Sequence, residues 1–246
     1  MENSNILELR NVCKYFGGVK ADDDISLTVK KGEIIGIVGP NGCGKSTLFN
    51  CIAGYFPLTK GQILLNGTDI TGKKANHVCK AGIARTFQLT RMLPDLTVLE
   101  NVMIGAFCRT NNKEIAKENA LETLKRLDFP GLNANIYNPA SSLTTVDRKF
   151  LEIARAVATQ PKLLMLDEVM AGLNSSEIKE TLTVIRKLRT EGITIILIEH
   201  LMEVIMNISD RVIVLEAGKK IAEGLPKEIV HNERVNPSGL SAAGSG

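Results

Sequence analysis

No stretch of this 246-residue chain approaches the roughly 18–20 consecutive apolar residues that a helix needs to span a bilayer. The longest runs, Ile34 to Val38 and Ile193 to Ile198, have the length of strands, so a chain that does not itself cross a membrane is expected. An excess of either charge is also lacking: 30 Lys plus Arg stand against 27 Asp plus Glu, a net charge of +3. These charges are scattered, which leaves no basic field for nucleic acid. The cysteines Cys13, Cys43, Cys51, Cys79 and Cys108 are odd in number and have no C-x-x-C spacing. The opening residues MENSNILELR carry neither the basic segment nor the apolar stretch of a secretory signal. These absences lead to an expectation of free thiols in a reducing cytoplasm. What is present, 44% apolar and 23% charged residues, is the balance of a globular protein, with room for one large domain carrying a smaller inserted or appended subdomain.

Alternation at Leu7, Leu9 and Cys13, and again at Ile25, Leu27 and Val29, predicts strands. Ile34 to Val38 predicts a buried strand that runs into a glycine-rich turn and then a helix from Lys45 to Ala53, the opening of a nucleotide-binding unit. Shorter strands are expected at Gln62 to Leu65 and near Ile83 to Phe87. From about Pro94 to Ala158 the chain reads as helical, with a capping box at Thr97-x-x-Glu100 and an amphipathic helix from Lys113 to Leu127. Turn residues at Leu93-Pro94-Asp95 and Phe129-Pro130-Gly131 bracket the stretch of roughly 90 to 140 that is the candidate partner-facing insertion. Leu163 to Leu166 then ends in Asp167-Glu168; a helix carries Ile178, Leu182, Ile185 and Leu188 on one face; a strand from Ile193 ends in Glu199-His200; and Ala217-Gly218 marks a hairpin. Strands alternating with helices imply a largely parallel sheet with function at its strand C-termini. Residues 236–246, mostly Gly, Ser and Ala, read as a disordered tail.

Gly39-Pro40-Asn41-Gly42-Cys43-Gly44-Lys45-Ser46-Thr47 fits G-x-x-x-x-G-K-[ST] in full, after a predicted strand and before a predicted helix. Glycines let consecutive backbone amides turn inward on phosphates, aided by the positive end of the helix. Lys45 supplies charge to the outer phosphates, and the Ser46 hydroxyl is a Mg²⁺ ligand. Asp167 is placed to hold Mg²⁺ through water, and Glu168 to polarise an attacking water. Cys43 reads mainly as a small residue whose amide faces phosphate, with its thiol near bound nucleotide, so thiol alkylation is expected to block nucleotide binding and nucleotide to protect. The run Asp22-Asp23-Asp24 reads as a solvated turn. Asn112-Lys113-Glu114-Ile115 lacks the final acid with which GTPases bond guanine.

The order of phosphate loop, Gln88, a signature-like segment at Leu143, Asp167-Glu168 and His200 resembles the ATPase subunits of ABC transporters over about residues 5–232. Phe16-Gly17-Gly18, Arg85-Thr86-Phe87-Gln88, Leu96 to Val102, Ala171-Gly172-Leu173-Asn174 and Ile198-Glu199-His200 resemble the LivG-type ATPases of branched-chain amino acid importers. The resemblance implies an α/β P-loop NTPase with a RecA-like core, an antiparallel β subdomain and an inserted helical subdomain at about 90–160, within a domain covering 5–235. It implies hydrolysis of ATP to ADP and phosphate with Mg²⁺, coupled to transport. By resemblance Phe16 stacks on adenine, with Tyr15 as the competing ring and core packing as the alternative for either. Gln88 touches Mg²⁺ and the attacking water, and His200 bonds the γ-phosphate. The implied partners are transmembrane permease subunits, a second ATPase in a head-to-tail dimer, and indirectly an extracytoplasmic solute-binding protein, at the cytoplasmic face of the inner membrane and without nucleic acid. A soluble ABC-type ATPase of DNA repair or translation is the alternative; a single cassette without long heptad arms or a basic patch argues against it.

Three departures from the family pattern stand out. Leu143-Thr144-Thr145-Val146-Asp147 replaces the signature L-S-G-G-Q, keeping a hydroxyl and a helix N-terminus and losing both glycines. Val169 stands where proline usually follows the catalytic Glu, and Asn174 where many members have Asp. Because such ATPases share sites head to tail, a degenerate signature weakens the site on the partner's phosphate loop, and predicts a heterodimer with asymmetric hydrolysis. The competing reading is that Thr-Thr-Val packs almost as Gly-Gly does and both sites work.

Overall fold

The computed structural model describes residues 5–87 and 92–232. The first two strands, β1 (Asn5–Phe16) and β2 (Val19–Lys30), form an antiparallel hairpin, and β4 (Lys60–Leu65) and the two-residue β5 (Thr68–Asp69) extend it to a four-stranded sheet ordered β2-β1-β4-β5. Between them run β3 (Ile34–Val38) and α1 (Lys45–Ile52). After α2 (Ala75–Ala81) and β6 (Ile83–Arg85) comes the helical stretch α3 (Val98–Ala106), α4 (Lys113–Leu127), α5 (Pro130–Ala134) and α6 (Thr145–Ala158). The chain finishes with β7 (Leu163–Asp167), α7 (Ser175–Thr190), β8 (Thr194–Ile198), α8 (Met202–Ile208), β9 (Arg211–Glu216), β10 (Lys219–Gly224) and α9 (Pro226–Val230).

The second sheet has the order β10-β9-β3-β8-β7-β6 and is parallel from β9 to β6. Its central strands β3, β7 and β8 are buried at every position, with both faces covered. Period-2 alternation divides them: Ile35, Ile37, Met165, Ile196 and Ile198 face α1 and the antiparallel sheet, while Ile34, Val38, Leu164, Leu166 and Leu197 face the helices. β9 and β10 close through Ala217 and Gly218, both left-handed at φ 46° and 77°, the backbone of a tight I′ hairpin. This two-sheet arrangement with a helical stretch between β6 and β7 is the fold class expected above. The short helices α2, α8 and α9 were not expected from periodicity, and the tail at 236–246 lies outside the described residues. Among the described residues no helix is long and apolar enough to cross a membrane.

The capping box at α3 forms as read: the Thr97 hydroxyl accepts from the Glu100 amide (3.1 Å) and Glu100 accepts from the Thr97 amide (2.9 Å). It fixes the entry of a helix that sends Val98, Leu99, Val102 and Met103 into the core. Thr97→Ala is expected to lower stability by about 1 kcal/mol, read as a shift of the urea midpoint at unchanged slope.

Candidate nucleotide site

The parallel order places the ends of β3, β7 and β8 side by side, so three loops distant in sequence converge at one edge. The first runs from β3 to α1. Two of its glycines are required by contact: a Cβ on Gly39 would fall 2.1 Å from the Leu215 carbonyl, and one on Gly44 2.5 Å from both Ala21 O and Asp22 Oδ1. Gly44 caps α1 in the left-handed region (φ 113°), without a side-chain cap and without an acid in the first turn, so no acid of the helix itself offsets its positive end. Asn41, Gly42 and Ser46 are exposed, Pro40 and Thr47 half-buried, and Gly39, Cys43 and Gly44 buried. Lys45 is buried with its ammonium on the Gly39 and Pro40 carbonyls at 2.7 and 2.9 Å.

Asp167 ends β7, fully buried. Its Oδ2 is bonded by Arg85 (2.9 Å), while Oδ1 is buried without a partner. Burial pushes this carboxyl up, and Arg85 pulls it back. Arg85 also donates to Asn50 on α1 (2.8 Å), whose amide reaches the Ser46 carbonyl (2.7 Å), so one guanidinium ties the phosphate-loop helix to β7. Glu168 follows in the left-handed region (φ 51°), its amide on Ile198 O, and its Oε1 lies 2.6 Å from His200 Nε2. Next to His200, Glu199 is buried, accepts from the Met170 amide (2.9 Å) and is pushed up to about 7 by that burial.

The structure therefore brings the loop 39–47, Asp167, Glu168 and His200 into one site. Phe16 is exposed on the β1–β2 hairpin, edge-to-face with Phe56 at 5.5 Å. Its rival Tyr15 is committed, donating its hydroxyl to Asp23 at 2.6 Å. Gln88 lies outside the described residues. The signature-like segment is divided between core and surface. Leu143 is buried in the helical core and offers no surface to a nucleotide. Thr144 is exposed, but its hydroxyl caps α6, accepting from the Asp147 amide and donating to Asp147 Oδ2 at 2.7 Å. Asp147 thus sets a carboxylate on the first turn, where it offsets the positive helix end; Thr145 is exposed and Val146 half-buried.

One further reading is corrected. Asp22 is no solvated residue: it is fully buried on β2 under Gly44, both carboxylate oxygens lack partners, and burial pushes its pKa up to about 7. Cys43 is buried with its sulfur packed toward Gly39, and burial pushes the thiol up. Alkylation of Cys43 is accordingly expected to be slow in the folded chain and fast in urea, with any adduct abolishing ATP binding; peptide mass spectrometry over a time course of iodoacetamide checks this. Arg85, Asp22 and Glu199 are the site residues that sequence reasoning assigned no role.

A strand, a glycine-rich turn that opens a helix, a buried lysine and an acidic strand end define a P-loop nucleoside triphosphatase. The profile of the ABC transporter family matches residues 23–171. The LivG high-affinity branched-chain amino acid transport ATP-binding protein of Salmonella typhimurium is 37% identical over 243 residues, covering 94% of this chain and 95% of that protein. Among solved structures, the ADP conformation of an ATP-binding cassette of an ABC transporter superposes with a TM-score of 0.84 at 33% identity, covering 95% of this chain and 97% of the other. A dimeric post-hydrolysis cassette bound to ADP and phosphate superposes at 0.81 and 26% identity, covering 89% and 98%. The chain belongs to the ABC transporter family and is an ATP-hydrolysing, nucleotide-binding subunit.

Proposed function

We propose that this chain energises import of branched-chain amino acids, or of similar small polar solutes, from the cytoplasmic face of the membrane. The observation that carries the reading is the convergence of loop 39–47, Asp167, Glu168 and His200 in a chain similar to LivG over nearly its whole length. The backbone amides of the loop take the phosphates, and Lys45 exchanges the Gly39 and Pro40 carbonyls for phosphate oxygens. The unpartnered, buried Asp167 Oδ1 suits a cation, so Asp167, Ser46 and Gln88 are the residues for Mg²⁺. When bound, Mg²⁺ neutralises charge on the outer phosphates. Glu168 orients and deprotonates the attacking water, His200, whose Nε2 meets that carboxylate, bonds the γ-phosphate, and Phe16 packs on adenine.

The permease partner fits a groove of about 400 Å³ between the catalytic core and the helices, whose walls include the exposed apolar side chains Tyr55, Ile104 and Phe107. A second ATPase closes the nucleotide site head to tail, and that subunit differs from this one. Here the α6 N-terminus carries Asp147, and a carboxylate at that position repels the γ-phosphate that an intact signature attracts. The test is a mild-detergent pull-down of the tagged chain from its native membranes, with mass spectrometry of stoichiometric companions. Two hydrophobic permeases and a second, different ATPase are expected. Recovery with ribosomal or DNA-bound proteins overturns the transport reading and leaves the ATPase intact.

A further inference from the structure

The sulfurs of Cys79 and Cys108 lie 3.3 Å apart, although 29 residues separate them in sequence. Cys79 sits in the last turn of α2, beside β6 at the edge of the parallel sheet; Cys108 follows the end of α3 in the helical stretch. Both are half-buried and line the same groove as Tyr55, Ile104 and Phe107. The juxtaposition is held independently of the sulfurs. Arg109, the next residue, donates to the carbonyls of Lys80 (2.8 Å), Thr159 (2.6 Å) and Gln160 (3.2 Å), which clamps the Cys108 segment onto the ends of α2 and α6. The remaining cysteines, Cys13, Cys43 and Cys51, are buried.

We propose that Cys79 and Cys108 form a reversible dithiol–disulfide site that hydroperoxides oxidise and dithiols reduce. Bringing the sulfurs from 3.3 Å to a bond of about 2.05 Å takes side-chain rotation within a segment already clamped. The chemistry runs in two displacements. A thiolate sulfur attacks one peroxide oxygen, the O–O bond breaks, and with hydrogen peroxide a sulfenic acid and one water result; the second sulfur then attacks the first, the S–O bond breaks, and a second water leaves. Two thiols and one hydrogen peroxide become one disulfide and two waters. Either sulfur can take the oxygen first, because the other lies within reach to resolve it. The bond joins α2 to the end of α3 and fixes the width of the groove between core and helices.

The full chain is treated with hydrogen peroxide, quenched with iodoacetamide and digested. Expected are an intact mass lower by two hydrogens, one linked peptide pair containing Cys79 and Cys108, and its loss on adding dithiothreitol. Cys79→Ser and Cys108→Ser should each abolish the linked pair and leave on the remaining cysteine a sulfenic acid that dimedone traps. Because either serine could disturb packing, the unmodified sequence in urea serves as the second comparison, and there the pair should form more slowly and lose its selectivity. Accumulation of sulfinic acid on Cys79 or Cys108 in the unmodified chain without a linked pair overturns the proposal, as does pairing that is equally scrambled with and without urea.

Discussion

Replacing Glu168 by glutamine is expected to lower ATP turnover by about 10²–10⁴-fold while leaving ATP affinity nearly unchanged. The side chain is held by two constraints of different origin. Its backbone takes the left-handed conformation at the end of β7, with the amide on Ile198 O, which turns the carboxylate away from the buried strand. His200 Nε2 then meets Oε1 at 2.6 Å. Glutamine preserves size and one hydrogen bond to His200, so the geometry persists, but an amide cannot take the proton of an attacking water. An interaction lost only in the transition state lowers kcat and kcat/KM together and leaves binding alone. Phosphate release from the assembled complex, beside equilibrium binding of ATP, separates these quantities. In the proposed head-to-tail pair the same substitution in the partner ATPase should matter less, because there the Thr144–Asp147 corner of this chain faces the partner's phosphate loop. Turnover within tenfold of the parent, or equal loss from both substitutions, would refute the assignment.

What the sequence made legible is chemistry confined to a short window. The loop from Gly39 to Thr47 is readable because each requirement, tight turn, inward amides, lysine and hydroxyl, is met within nine consecutive residues that end in a helix. The buried parallel strands are readable because burial on both faces removes polar residues from runs such as Leu163 to Leu166. The capping box at Thr97 is likewise local. Pairings across the fold leave no such trace. Arg85 meets Asp167 over 82 residues, and nothing in either neighbourhood announces it. Thr144 kept a hydroxyl in the expected place, yet the acid three residues on turns that hydroxyl into a helix cap. Three aspartates in a row suggest solvent, but a register shift in the β1–β2 pairing, with Asp24 left-handed at φ 63°, turns Asp22 inward out of phase with Ile25, Leu27 and Val29, while its neighbours Asp23 and Asp24 find partners in Tyr15 and Asn11.

That inward aspartate carries the second large effect: Asp22→Asn should stabilise the chain increasingly as pH rises. The Asp22 carboxyl is fully buried beneath Gly44 with neither oxygen bonded, and burial lifts its pKa from 3.8 to about 7. Below pH about 4 it is protonated folded and unfolded alike and adds no pH dependence. Between 3.8 and about 7 the unfolded chain releases a proton that the folded chain retains, so stability falls with rising pH. Above about 7 the carboxylate is ionised in both states and the full penalty stands. At about 1.4 kcal/mol per decade, that interval amounts to about 4 kcal/mol. Asparagine cannot ionise, and its unpaired amide costs about 1–3 kcal/mol at every pH. The difference in unfolding free energy between variant and parent should therefore move in the variant's favour by about 3–4 kcal/mol from pH 4 to pH 8, whatever its absolute value. Glu199, raised in the same direction, is common to both chains and cancels. Urea titrations at the two pH values measure the shift, and a difference that stays flat would mean that Asp22 is ionised and solvated in the folded chain. Since the same carboxylate lies under Gly44, its ionisation also places negative charge beneath the phosphate loop, so ATP affinity should fall above neutral pH in the parent and hold steady in the variant.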